Sequence, residues 1–234
     1  MRKSPILFSI IALALLLGIL SSQGYAAMEE YGFICATTGI PADVESQFTV
    51  QVTDEGVAAG QVLFKFSNVG DIASSITDVY FRDGTLLGIS DLIDINQNAP
   101  TWLSWGNSND LPVDFSIGPV SPPFLPGGGV LGFRDPTATF FATDSDNPVR
   151  PNGVGLGESL GVVFDLLPNK DIESVFTALA LGNRDGGLRI GLKVQGIGPA
   201  DLSGVFLNIV PVPAAFLLGA LGLGVAGLKL RKRA

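Results

Sequence analysis

The residues of this chain best suited to chemistry are carboxylates grouped in turns and a pair of indoles. Asp144-Ser145-Asp146-Asn147, with Asp135 a short way upstream, gathers oxygen donors in one loop-forming stretch. Hard cations such as calcium take donors of this kind. The stretch lacks the glycine and distal glutamate of an EF-hand loop, and aspartates in such a turn also hydrogen-bond their own backbone. Trp102 and Trp105 offer flat faces for sugar stacking, or apolar bulk to support a long loop from beneath. Asp91 with Asp94, or Glu158 with Asp165, could serve as the paired carboxylates of a glycosidase, which must stand roughly 5 to 10 Å apart across a cleft. Among 22 acidic residues, however, such pairs also arise by chance. With His 0 in the composition, a Ser-His-Asp or Cys-His nucleophile and every imidazole metal site are excluded. Gly127 to Gly129 follow prolines in a loop and so do not form a phosphate-cradling turn between a strand and a helix. Cys35 is the single cysteine, which rules out an intramolecular disulfide and leaves a small buried hydrophobe or an intermolecular bridge. The expectation is a non-catalytic protein without a cofactor, calcium being the one ion its loops would suit.

Whatever binds here must be positioned by strands. Phe48, Val50 and Val52 alternate with polar neighbours, as do Val62, Phe64 and Phe66, so residues 47–67 read as a β-hairpin across Thr53-Asp54-Glu55-Gly56. Ile76 to Phe81 and Leu86 to Ile89 flank Arg82-Asp83-Gly84, which predicts a second, tight hairpin. Residues 96–126 are rich in breakers and read as a long loop. Strands resume at 130–133, 137–142 and 160–166. Ile172, Val175, Phe176 and Leu179 fall at helical spacing between Asp171, a fitting N-cap, and Gly182, a fitting C-terminal stop. Leu188, Ile190, Leu192 and Val194 alternate with Arg189, Gly191, Lys193 and Gln195 as a half-buried strand, and 205–209 supplies a last one. Eight to ten short strands and one short helix predict a mainly β fold, a β-sandwich of jelly-roll-like type.

The two ends differ from this body. Arg2 and Lys3, an uncharged run from Ile6 to Leu20, and small residues at Gly24 and Ala26 have the layout of a secretory signal peptide over residues 1–26, cut after Ala26 by signal peptidase. The secreted domain then spans 27–209. At the other end, 210–234 opens with Val210-Pro211-Val212-Pro213-Ala214 and continues as an apolar run to Leu228, where basic Lys229, Arg231, Lys232 and Arg233 follow. As a helix that run would rise about 28 Å, enough to cross a bilayer, with the basic end held on the cytoplasmic side. Removing both ends takes 6 of the 14 basic residues and none of the 22 acidic ones, leaving a body of charge 8 − 22 = −14. So acidic a product disfavours nucleic acid or anionic lipid as a partner and favours cations or basic partners.

The tail resembles the PEP-CTERM sorting signals of Gram-negative bacteria: a Val-Pro-x-Pro motif, a short Leu/Gly/Ala-rich span and a terminal Arg/Lys cluster. Val212 stands where the common form has Glu, so the likeness is to the variant signals with an apolar residue there followed by Ala. The resemblance implies that an exosortase, a membrane-embedded cysteine protease, cuts near Pro213. The product would then be released or transferred to the cell surface, in settings of exopolysaccharide and biofilm production. The body is similar to a large set of such secreted proteins, through Gly60 to Asn68, Ser74 to Leu87, Asp144 to Asp146 and Leu188 to Gly196. The expectation is therefore an exported matrix protein with a structural or adhesive role; the alternative is a carbohydrate-binding or calcium-dependent module of the same matrix, with exopolysaccharide as partner.

Overall fold

The computed structural model describes residues 27–83, 86–95, 113–118 and 139–210. Ten strands follow one another: β1 Met28–Cys35, β2 Phe48–Thr53, β3 Gln61–Asn68, β4 Ser75–Asp83, β5 Leu86–Asp94, β6 Phe115–Ile117, β7 Thr139–Ser145, β8 Ser159–Leu166, β9 Arg189–Ile197 and β10 Leu202–Asn208. A short 3-10 helix, Ala42–Gln47, precedes β2, and one α-helix, α1 (Ile172–Leu181), separates β8 from β9. All neighbouring pairs are antiparallel, in the order β5-β8-β3-β2-β1-β10-β9-β4-β7-β6. The fold is thus mainly β, as the strand periodicity predicts.

The sheet curls until it is nearly closed, and β1 is the reason. Its first half, Met28 to Gly32, pairs with β2, while Phe33 to Cys35 pair with β10. The strand therefore passes from one half of the sheet to the other and turns the two halves face to face. Fully buried phenylalanines fill the space between them. Phe81 of β4 stands edge-on to Phe64 of β3 and Phe164 of β8, with ring centroids 5.2 and 4.7 Å apart, and Phe48 of β2 meets Phe206 of β10 at 4.9 Å. Each such ring contributes about 2–3 kcal/mol by leaving water, and edge-on geometry places a positive ring edge on a negative face.

The hairpin over 47–67 forms as expected, Phe48↔Asn68 to Thr53↔Leu63. The predicted hairpin around Asp83-Gly84 does not. β4 pairs with β7 and β9, β5 pairs with β8, and the chain steps between opposing halves of the sheet. Both strands carry the alternation of a surface facing one core, and that pattern is the same whether the chain folds back beside itself or crosses to the facing layer. The predicted strand at 130–133 lies outside the described residues. Two strands were not anticipated: β1, where Tyr31 and Phe33 are buried and Cys35 packs partly buried against the core, and the three-residue β6 within the breaker-rich stretch.

Helix α1 matches its prediction at both ends. The Asp171 side chain accepts from the Ser174 N–H at 2.9 Å, Ser174 reciprocates, and Gly182 stops the helix at a φ of 60°. Val175 and Leu179 are fully buried beneath the sheet's end, and Val210 packs at Gly182. Strand β9 is more buried than expected. Arg189 and Gly191 are covered too, because the outward face of this half carries its own apolar cluster of Phe140, Val205, Leu207 and Tyr80. No helix among the described residues is long and apolar enough to cross a membrane; the apolar run after Val210 lies outside them.

Candidate functional site

The N-terminal ends of β4 and β8 and the C-terminal ends of β3, β5, β7 and β9 meet at one end of the curled sheet, opposite α1. Two groups of polar side chains lie there. The first contains the nominated calcium ligands. Asp144, in β7, stands directly opposite Asp78 of β4, which also faces Lys193 of β9. Both oxygens of Asp78 are committed: Thr77 Oγ1 donates at 2.7 Å and Tyr80 Oη at 2.9 Å, and Lys193 Nζ lies 3.3 Å away. Asp146 accepts from Ser116 Oγ at 2.8 Å. Burial raises the Asp144 carboxyl pKa, and the charges of Asp78 and Asp146 raise it further against the pull of Lys193. The structure thus brings Asp144 and Asp146 together and adds Asp78, but among the described residues no three acidic, histidine or cysteine side chains are arranged to hold a metal. Asp135 lies outside the described residues.

The second group lies in the loop between β7 and β8, residues 146–158. A buried network pins this loop down. Asn68, at the end of β3, donates from Nδ2 to the carbonyls of Val154 and Ser74, each at 3.1 Å, and accepts at Oδ1 from Gln47 Nε2, also at 3.1 Å. Gln47 Nε2 reaches the Ile72 carbonyl at 2.9 Å and Ser74 Oγ at 2.8 Å. Val154 and Ile76 exchange both backbone hydrogen bonds, at 2.9 and 3.0 Å. These contacts hold the loop against β4 and frame a cleft of about 460 Å³.

Glu158 stands in that cleft, 3% exposed. Its Oε2 accepts from the Gly155 N–H at 2.6 Å, while Oε1 has no partner and is sealed from solvent. Gly155 permits this approach, since a Cβ there would sit 2.9 Å from Oε2. Burial raises the Glu158 pKa; the Gly155 N–H works against that rise, and Asp94 at the end of β5 adds to it. Across the rim, Arg150 pairs with Asp201 at 2.6 Å.

The carboxylate pairs nominated from sequence do not assemble. Glu158 and Asp165 lie at opposite ends of β8, seven residues and so about 23 Å apart in an extended strand. Asp165 is engaged by Gln61 Nε2 at 2.9 Å. Asp91 and Asp94 are three apart in β5, an odd spacing that sends them to opposite faces. Cys35 is partly buried and donates to the Thr37 carbonyl at 3.3 Å. Trp102, Trp105, Gly24, Ala26, Pro211, Val212, Pro213, Ala214, Lys229, Arg231, Lys232 and Arg233 lie outside the described residues. The Glu158 cleft is the feature that sequence reasoning missed, because its walls come from three separate chain segments.

These observations define a mainly β protein, in which the described residues form an antiparallel ten-stranded sheet with a cleft at one end. No family model, curated protein or solved structure matches the chain.

Proposed function

We propose that the chain is an exported, exosortase-processed protein of the cell surface or extracellular matrix, with a structural or adhesive and non-catalytic role. One observation carries the reading. The last strand among the described residues, β10, ends at Asn208, and Val210 is seated against the cap of α1, so the Pro211 motif follows the last described strand. A cut near Pro213 would leave every described strand and helix α1 intact. At the other end, the cut after Ala26 falls two residues before β1, and the Ala27 nitrogen lies 3.2 Å from Asp54 Oδ1, where a newly made ammonium would meet a carboxylate.

In this reading the curled sheet is a sandwich of jelly-roll type, supported by the phenylalanines that meet between its halves. Residues 1–26 and 210–234 are signals handled by signal peptidase and an exosortase, and the C-terminal run is a transient anchor. The acidic body, −14 by composition, stays soluble between like-charged neighbours. A non-catalytic carbohydrate-binding or calcium-dependent module of the same matrix is the alternative; Asp78, Asp144 and Asp146 are neighbours there, though among the described residues they are not arranged to hold a metal. Replacing Pro211 and Pro213 with Ala in the native host tests the first. The protein should then accumulate uncut in the membrane fraction and the cell aggregates should loosen; normal release would refute the reading.

A further inference from the structure

We propose that the cleft between the 146–158 loop and β4 binds a primary ammonium carried on an apolar stem, with the Glu158 carboxylate as its counter-ion. The proposal is independent of how the chain is exported. It begins with an imbalance. Glu158 is almost wholly buried, one of its oxygens has no donor, and the other accepts from the Gly155 backbone. A carboxylate taken out of water without a cation is costly, and a chain normally avoids that arrangement by pairing or neutralising the group. Among the described residues no cation compensates it. The charges around the cleft are Asp94, which repels it, and Arg150, which is held by Asp201.

The remaining wall groups select the ligand. A sugar or other polyol both donates and accepts, so its site must offer donors as well as acceptors. Of the wall's donors, Ser75 Oγ gives its proton to the Arg150 carbonyl at 2.9 Å, Gln195 Nε2 points to Thr77 Oγ1 at 3.3 Å, and Arg150 gives one guanidinium nitrogen to Asp201. The Arg150 guanidinium lies where a Cβ on Gly196 would collide with it, and so is wedged at the rim. The cleft therefore has an unpaired acceptor sealed just behind its wall, beside the small apolar surfaces of Ala73 and Pro151. An alkylammonium is the complement, three donors and no acceptor on a hydrocarbon stem. The terminal torsion of a glutamate is soft, so the carboxylate can turn its free oxygen toward the cleft as the ammonium enters.

The ammonium could belong to a free amine or to a lysine side chain of a partner polypeptide, and titration of the full-length chain with three probes distinguishes these. Pentylamine should bind saturably, and Nα-acetyl-lysine amide should bind more tightly if the natural source is a lysine, less tightly if it is a small amine. Pentanol should not bind. Glu158→Gln should weaken pentylamine roughly tenfold or more, the loss of one charge-assisted contact, and wild-type affinity should fall as acid protonates Glu158. In the wild-type chain, pentylamine should also lower the titration midpoint of the Glu158 carboxyl carbon by NMR, a readout that survives if the variant fails to fold. Absence of saturable pentylamine binding, equal binding of pentanol, binding unchanged in Glu158→Gln, or an unmoved Glu158 midpoint would each overturn the proposal.

Discussion

Replacing Asn68 tests whether the cleft is built by the buried amide network. Asn68 is fully buried and joins four segments: the end of β3 that carries it, the Gln47 entry to β2, and the approaches to β4 and β8 through the Ser74 and Val154 carbonyls. Asn68→Ala removes three hydrogen bonds of 3.1 Å, each worth about 0.5–1.5 kcal/mol net. The Val154 carbonyl keeps its bond from Ile76, so the main orphan is the Ser74 carbonyl. The sum is about 3 kcal/mol. At a urea slope near 2 kcal/mol/M the unfolding midpoint should fall by about 1.5 M, and Tm by roughly 6–12 °C for a domain of this size. Asn68→Asp conserves shape but points an oxygen, not an N–H pair, at two carbonyls, so near neutral pH it should cost more than the alanine. That excess should shrink as acid protonates the new carboxyl and restores one donor. Urea titration of the three chains at two pH values decides the matter. An alanine variant within 1 kcal/mol of wild type, or an aspartate variant no worse than the alanine, would refute the assignment of Asn68 as donor to both carbonyls.

Other expectations follow from the same packing. Because the folded-state pKa of Glu158 is raised above its unfolded value, the folded state binds more protons in the window between them and stability falls as pH rises through it. Glu158→Gln should therefore stabilise the protein at pH 7.5, on the order of 1 kcal/mol, with a smaller gain at pH 4.5 in urea titrations. Burial pushes Lys65 down to about 8, so the unfolded chain binds more protons from there upward; stability should climb between pH 8 and 9.5, and a Lys65→Met chain should lack the climb. Phe81→Ala, which empties the point where the sheet halves meet, should cost about 3–5 kcal/mol by chemical denaturation.

Much of the framework was legible because it follows short-range rules. The alternation of Phe48, Val50 and Val52 with that of Val62, Phe64 and Phe66 marked a true hairpin, and Asp171, the spacing of Val175 and Leu179, and Gly182 marked α1 at both ends. What escaped depends on distant segments. β1 buries only Tyr31 and Phe33 fully and bends from one half of the sheet to the other, so no alternation of useful length exists. The Asp83-Gly84 step reports that the chain turns, not that it turns across to the facing layer. Glu158 looked like one acid among many, and what sets it apart is supplied by Gly155, Asp94 and a cleft wall from β4 and β9. Asp144 and Asp146 were visible as neighbours in sequence, whereas Asp78, 66 residues earlier, joins them through strand register.

The central claim, that both ends are removed around an intact β body, is tested most directly by the intact mass of the protein recovered from the medium or surface of its native host. A product that begins at Ala27 and ends near Pro213, with any added mass at its new C-terminus identifying what it is joined to, is the predicted result. A product that still carries Lys229 to Ala234 would contradict it and make the tail a permanent anchor.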